Sequence, residues 1–190
     1  MNIISNSCVG GFIYKNELKC TFQNPFIWNL IDFNSMLYLI KNFNSIDFNN
    51  FELIKDENYN FSIIIDKHIK VQYIHYKYDK TAIKPYTQHI NYYSNNIEEY
   101  IVQKYVERKN RMLNNKEKTI YIFGNLYDVK DTNLSYNQLK ILNDLHRDNI
   151  ICAVDKRYTE FNYIKQTLKE PLEKKWNSLL AKKIYEEFIK

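Results

Sequence analysis

At 190 residues the chain has the length of one ordinary domain, and its 45% hydrophobic and 16% aromatic content supplies a sizeable core, about 70% of the unfolded surface being buried at this size. Three Gly and three Pro exclude a collagen-like or Gly/Pro-rich disordered chain. The net charge of +5 comes from 27 basic residues interspersed with 22 acidic ones, the pattern of a solvated surface rather than of a phosphate-backbone footprint, so no nucleic-acid partner is expected.

The abundance of Asn, Ile, Lys and Tyr follows from AT-rich codons, which argues against reading the 17 Tyr as a stacking platform. Cys8, Cys20 and Cys152 form no CxxC pair, the opening residues lack a signal-peptide pattern, and polar residues interrupt the apolar stretch from Pro25 to Ile40. A cytoplasmic protein with reduced thiols and no integral membrane contact is the expectation.

In chain order, Asn2 to Ser7 reads as a short strand entering a polar turn, followed by Gly10-Gly11 and a resumed extended path at Phe12-Ile13-Tyr14. Phe26, Leu30, Phe33, Leu37 and Ile40 recur at helical spacing, which predicts a helix from Pro25 to about Phe43. Phe51–Ile54, Phe61–Ile65 and the alternating run Ile69–Tyr76 read as strands, with Asp66-Lys67-His68 as a hairpin turn. This stretch is an antiparallel excursion. Tyr78 to Ser94 reads as a long loop. Asn95 or Asn96 caps a predicted helix with Glu98 and Glu99 in its first turn, ending at Asn114-Asn115.

Thr119–Phe123 is a predicted buried strand, Ser135 caps a helix from Tyr136 to Arg147, and Ile150–Val154 is a further strand. Thr159 to Lys169 reads as a short helix. After Pro171 comes an amphipathic helix with Leu172, Trp176, Leu179, Leu180 and Ile184 on one side. Its lysines would suit an anionic membrane surface, which makes a peripheral position on the inner membrane one alternative, but packing of the apolar stripe on the sheet is the commoner use. The order strand-helix-strand-helix predicts a single α/β domain over residues 1–190: three layers, a mixed, mostly parallel sheet, and helices on both faces.

Ligands in open α/β sheets bind beyond the carboxyl ends of strands. Ser5-Asn6-Ser7-Cys8-Val9-Gly10-Gly11 offers small polar donors and glycines there, suited to a phosphate or carboxylate, although a polar glycine turn is also a common structural device. His75, with Tyr76 and Lys77 at a strand end, can act as a general base. With Cys8 it would make a nucleophilic pair if the fold brought them within reach; otherwise Cys8 is a small buried residue and His75 a satisfied one. Arg108 and Arg111 share a helix face and either bind a phosphate or pair with acids such as Glu107. The four His and the Asp128/Asp131 pair show no metal-ligand spacing, so neither metal nor cofactor is expected.

The opening Ser5-Asn6-Ser7-Cys8-Val9-Gly10-Gly11, continued by Asn24-Pro25-Phe26, resembles that of a bacterial family of unknown function numbered nineteen-nineteen, whose members often carry exopolysaccharide biosynthesis labels. That family opens on Ser-Asn-Asn-Cys-Trp-Gly-Gly and a later Ser-Pro-Phe; Ser7 and Val9 depart from it. Ile74-His75-Tyr76-Lys77 is similar to its His-Tyr element. Tyr105, Arg108 and Arg111 fall where it has a Trp and two basic residues, while Asn125 and Asp128 echo an Asp-rich stretch only loosely. The resemblance implies a role in capsule or exopolysaccharide biosynthesis. In its sharpest form this is a glycosyl or acyl transferase acting on a sugar or sugar-nucleotide, with Ser5, Asn6, Cys8, His75, Arg108 and Arg111 in one cleft. The alternative is a non-catalytic binding or scaffolding module among polysaccharide-assembly proteins.

Overall fold

The computed structural model describes residues 1–22, 24–55, 60–77, 97–115, 117–123, 134–145, 149–153, 165–166 and 176–190. The predicted loop from Tyr78 to Ser94, the cap at Asn95 or Asn96, and Asn125 and Asp128 lie outside these residues.

Mixed α/β content is present, but the strands divide between two sheets. One is parallel, in the order β1 (Asn2–Ser5), β6 (Thr119–Phe123), β7 (Ile150–Ala153), β8 (Lys165–Gln166). The other is antiparallel, in the order β2 (Leu30–Ile31), β5 (Ile69–Lys77), β4 (Asn60–Ile65), β3 (Phe51–Lys55). The expected single mixed sheet is thereby corrected. The sheets meet where the Ile31 N–H donates to the Asn6 carbonyl at 3.3 Å, Asn6 having donated its own N–H to Ile122 at 3.1 Å.

Period-two alternation splits the parallel strands between two apolar clusters. Ile3, Ile120, Ile122 and Cys152 pack with Val9, Ile13, Leu180, Ala181 and Ile184. These partners come from α1 (Val9–Phe12), its π-helical continuation Ile13–Leu18, and α5 (Trp176–Ile184). Ile4, Tyr121, Phe123, Ile151 and Ala153 face the larger cluster, which takes in the antiparallel sheet, α2 (Phe33–Asn42), α3 (Ile97–Asn114) and α4 (Tyr136–Leu145). One face of the parallel sheet thus meets α1 and α5, and the other looks into the larger cluster.

Three expected elements are corrected. Phe12 to Tyr14 is helical, not extended, because α1 runs directly into the π-helical turn. The helix expected from Pro25 starts only at Phe33. Asn24 accepts the Phe26 N–H at 3.0 Å in an Asx turn, and Asp32 caps the helix by accepting the Ser35 N–H at 2.9 Å. Within the stretch expected as helix from Thr159 to Lys169, Lys165–Gln166 pairs with β7 instead, and no local period encodes that contact. The last helix presents Leu180, Ala181 and Ile184 to the core but leaves Leu179, expected on its apolar side, 54% exposed.

Other elements follow their sequence signals. The β4–β5 hairpin turns at Asp66 and Lys67, both with positive φ (49° and 61°), as a tight turn between right-twisted strands requires. Ser135 and Gln138 form a reciprocal capping box at the start of α4, with bonds of 3.2 and 2.9 Å. On α3 the buried residues are Ile101, Tyr105, Arg108, Lys109 and Met112, one helical stripe.

Among the described residues β1 is the edge strand of its sheet, and it turns the backbone groups of Met1 and Ile3 away from β6. Side chains satisfy them. The Tyr14 hydroxyl accepts the Ile3 N–H and donates to the Met1 carbonyl, both at 2.9 Å, and the Asn24 amide donates to the Ile3 carbonyl at 2.8 Å. Burial pushes the Tyr14 hydroxyl up to about 12 from its ordinary value near 10, and burial also raises Tyr105 and Tyr121. The unfolded chain ionises these groups first, so stability is full below pH 10 and falls as pH rises from about 10 to 12. Tyr14→Phe should lower unfolding free energy by about 1–3 kcal/mol, since buried backbone groups lose their partners. Urea denaturation at pH 7 and pH 11 checks both, the variant showing the shallower alkaline loss.

Candidate functional site

The sequence-predicted turn lies at the carboxyl end of β1, between the parallel sheet and α1. Ser5, Asn6, Ser7 and Cys8 are all buried, none more than 7% exposed. Ser5 Oγ accepts the Ser7 N–H at 3.3 Å and lies 3.5 Å from Ser7 Oγ, so the hydroxyls first organise the turn itself. None of the three cysteines is in a disulfide.

Both glycines are explained by packing. A Cβ on Gly10 would lie 3.0 Å from Ser5 Cβ and 3.6 Å from Ile27 Cδ1. On Gly11 it would lie 2.5 Å from Trp28 Cε2 and 2.6 Å from Cδ2, inside the indole. Trp28 occupies the space that Gly11 leaves. It does so with φ at 64°, a left-handed backbone that costs a bulky residue about 1–3 kcal/mol. Its ring meets Phe12 edge-on at 4.8 Å and Phe22 at 6.2 Å.

Arg108 and Arg111 converge on the same stretch. Arg108 Nη1 donates to the Ile27 carbonyl at 3.2 Å, and its guanidinium lies 5.2 Å from the Phe22 ring centroid. Arg111 Nε donates to the Phe22 carbonyl at 3.0 Å. Glu107, the acid considered as their partner, accepts from Gln103 Nε2 at 2.9 Å. On the same helix, Tyr105 donates to the Phe48 carbonyl at 2.9 Å and Lys109 Nζ to Asn49 Oδ1 at 2.5 Å. Thus α3 holds two connecting segments at once.

His75 lies in β5 where the ladder with β4 breaks register: Phe61 pairs with Tyr73, yet the next residue, Asn60, pairs with Lys77. Ile74, His75 and Tyr76 form the skipped stretch, a bulge of the kind common beside functional sites. For His75, Tyr76 and Lys77 only the backbone is described, so the separation of the His75 ring from Cys8 is outside the described residues, as is Asn125.

The structure therefore joins Ser5, Gly10 and Gly11 to Arg108 and Arg111 through Phe22, Ile27 and Trp28. Tyr14, Asn24 and Trp28 were not singled out from the sequence. Asn24-Pro25 carried a usable signal, since Asn before Pro starts turns; nothing local distinguished Tyr14 among the many tyrosines. Among the described residues no group of three His, Cys, Asp or Glu side chains is placed to hold a metal, and no helix is long and apolar enough to cross a membrane. No family model matches the chain, and no curated protein matches it.

Gly11→Ala should destabilise the protein by about 1–3 kcal/mol, because the added methyl must displace the indole. Trp28→Ala in the same background should relieve the clash, so the two losses will be less than additive in a double-mutant cycle measured by urea unfolding.

Proposed function

We propose that the chain is a transferase acting on a sugar or sugar-nucleotide intermediate of surface-polysaccharide biosynthesis, as its resemblance to the family numbered nineteen-nineteen implies. The observation that carries this reading is the position of Ser5-Asn6-Ser7-Cys8: a polar turn at the carboxyl end of a parallel strand, leading into a helix, where open α/β sheets take their ligands. In this reading the parallel sheet and its two helical layers are a three-layer scaffold, and the antiparallel sheet brings the His75 bulge as its contribution. Cys8 or a neighbouring hydroxyl is the nucleophile, His75 is the base, and Arg108 and Arg111 hold a phosphate. The protein works in the cytoplasm, at or near the inner membrane surface.

Isothermal titration with a panel of nucleoside diphosphate sugars tests it. Saturable binding of at least one is expected, weakened about tenfold or more by Arg111→Gln, since a hydrogen bond to a charged group contributes about 1.5–3 kcal/mol. Turnover of the bound donor should fall about a hundredfold or more in His75→Ala with binding kept. Failure of every donor to bind would remove the reading.

One observation favours a second reading, a non-catalytic module of a polysaccharide-assembly complex. The motif closes on itself: Trp28 fills the space at Gly11, both arginines hold carbonyls, and Leu179 stands exposed on α5. That reading expects Leu179→Lys to abolish co-elution with assembly proteins from the same gene neighbourhood, with no sugar nucleotide bound.

A further inference from the structure

Three aromatic rings are left half-buried beside the glycine turn. Phe12, Phe22 and Trp28 each keep part of their surface in solvent, whereas Gly11, Ile13, Phe26 and Ile27 around them are buried. The indole is the centre of the group. Phe12 stands 4.8 Å from it at 66°, and Phe22 stands 6.2 Å from it at 74°. The atoms nearest a Cβ built at Gly11 are the ring-fusion carbons Cε2 and Cδ2. A neighbour in the plane of the ring would meet its rim first, so Gly11 lies against a face of the indole. Trp28 is held there with φ at 64°, an outlier for a bulky residue, and such outliers gather at ligand sites.

Phe22 joins this group to α3. The Arg108 guanidinium lies 5.2 Å from its ring centroid, and Arg111 Nε donates to its carbonyl at 3.0 Å. Arg111 is itself half-buried, and among the described residues its terminal nitrogens have no hydrogen-bond or ion-pair partner. A guanidinium anchored through Nε still presents donors at both Nη groups, which suit phosphate oxygens. The local charge has the same sign: between Val9 and Ile31, Lys15 and Lys19 stand against Glu17 alone. The rings are inclined to one another, so they make a corner rather than a broad flat floor. A corner takes one planar ring, and one guanidinium takes one anion. A nucleotide carries both in a small molecule, a base that stacks on aromatic side chains and a phosphate.

We infer that Phe12, Phe22 and Trp28 form a stacking subsite for the base of a nucleotide whose phosphate is held by the terminal nitrogens of Arg111. This rests on the sugar-nucleotide reading for its class of ligand, and it adds which residues recognise the base. The buried stretch Asn24–Ile27 and the Arg111 bond to Phe22 stay in place.

The chain has two Trp, so the full-length Trp176→Phe protein, excited beyond the tyrosine band, emits from Trp28 alone. Uridine diphosphate and adenosine diphosphate are titrated separately, and at least one should change that emission saturably. Ribose 5-phosphate, which has no base, and the matching nucleoside, which has no phosphate, should each bind about tenfold more weakly or worse. By isothermal titration, Trp28→Leu should weaken the diphosphate about tenfold, in a protein shown to be folded by its urea transition. No change in Trp28 emission with either diphosphate would overturn the subsite, whether or not the Leu variant folds. Equal affinity with and without the base would overturn it as well. Binding of a short oligouridylate with neither diphosphate bound would overturn it in favour of single-stranded nucleic acid. A sugar nucleotide that binds by calorimetry but leaves Trp28 emission unchanged would overturn the subsite and leave the transferase reading standing. A diphosphate that changes Trp28 emission while every sugar nucleotide fails to bind would support the subsite and remove the transferase reading.

Discussion

A buried parallel sheet cannot leave a strand edge bare, and the arrangement around β1 follows from that constraint. Main-chain N–H and C=O groups away from water must find partners, yet among the described residues β1 has a neighbouring strand on one side only within its sheet. One hydroxyl and one carboxamide take the place of a strand: Tyr14 serves Met1 and Ile3, and Asn24 serves Ile3. To put Tyr14 there, the chain after β1 must turn at once into a helix lying close to the sheet, which is why Gly10 and Gly11 follow so soon. To put Asn24 there, the chain must return across the edge before starting α2. The motif is first a way of finishing an edge.

Helix α3 extends the same logic. Its stripe from Ile101 to Met112 is apolar enough to pack, but Arg108 and Lys109 lie within it and are buried. Buried cations need acceptors, and these reach the connecting segments on either side of α2, Arg108 with its neighbour Arg111 to Phe22 and Ile27, Lys109 to Asn49. Long polar side chains on one rigid helix thus add fixed polar contacts to segments whose apolar residues, Phe26, Ile27, Ile46 and Phe48, already lie in the core. The same residue types were read from the sequence as candidate anion ligands. Both uses draw on one property, a set of donors carried on a long arm.

What was legible in the sequence was local. Strands β3, β4 and β5 were read as strands, β5 by its alternation, the Asp66–Lys67 turn by its polar residues, and α4 by the Ser135 cap. Errors arose where local periodicity and tertiary demand disagreed. Phe26, Leu30 and Phe33 keep a helical spacing, but Ile31 is needed in a strand against Val71 and Asp32 is a better cap than an interior residue. Lys165–Gln166 pairs because β7 presents an edge, which no local pattern records. For the candidate site, the sequence located the polar turn and the arginines, yet it had no means of showing that Trp28 would occupy the gap at Gly11. That depends on a backbone conformation tryptophan seldom adopts.

The partner of β1 is far away along the chain. Asn2 stands in register with Thr119, so the strand that begins the fold must wait until every strand of the antiparallel sheet has been synthesised. Three strands of that second sheet, β3, β4 and β5, are neighbours in sequence, close short loops and can assemble early. The parallel sheet must bear the entropy of a very long loop before its first ladder bond forms. Newly made chains therefore pass through a state in which Ile3 and Ile4 are apolar, extended and unpaired beside a finished hairpin sheet. Such a segment is a target for chaperones and for pairing between chains.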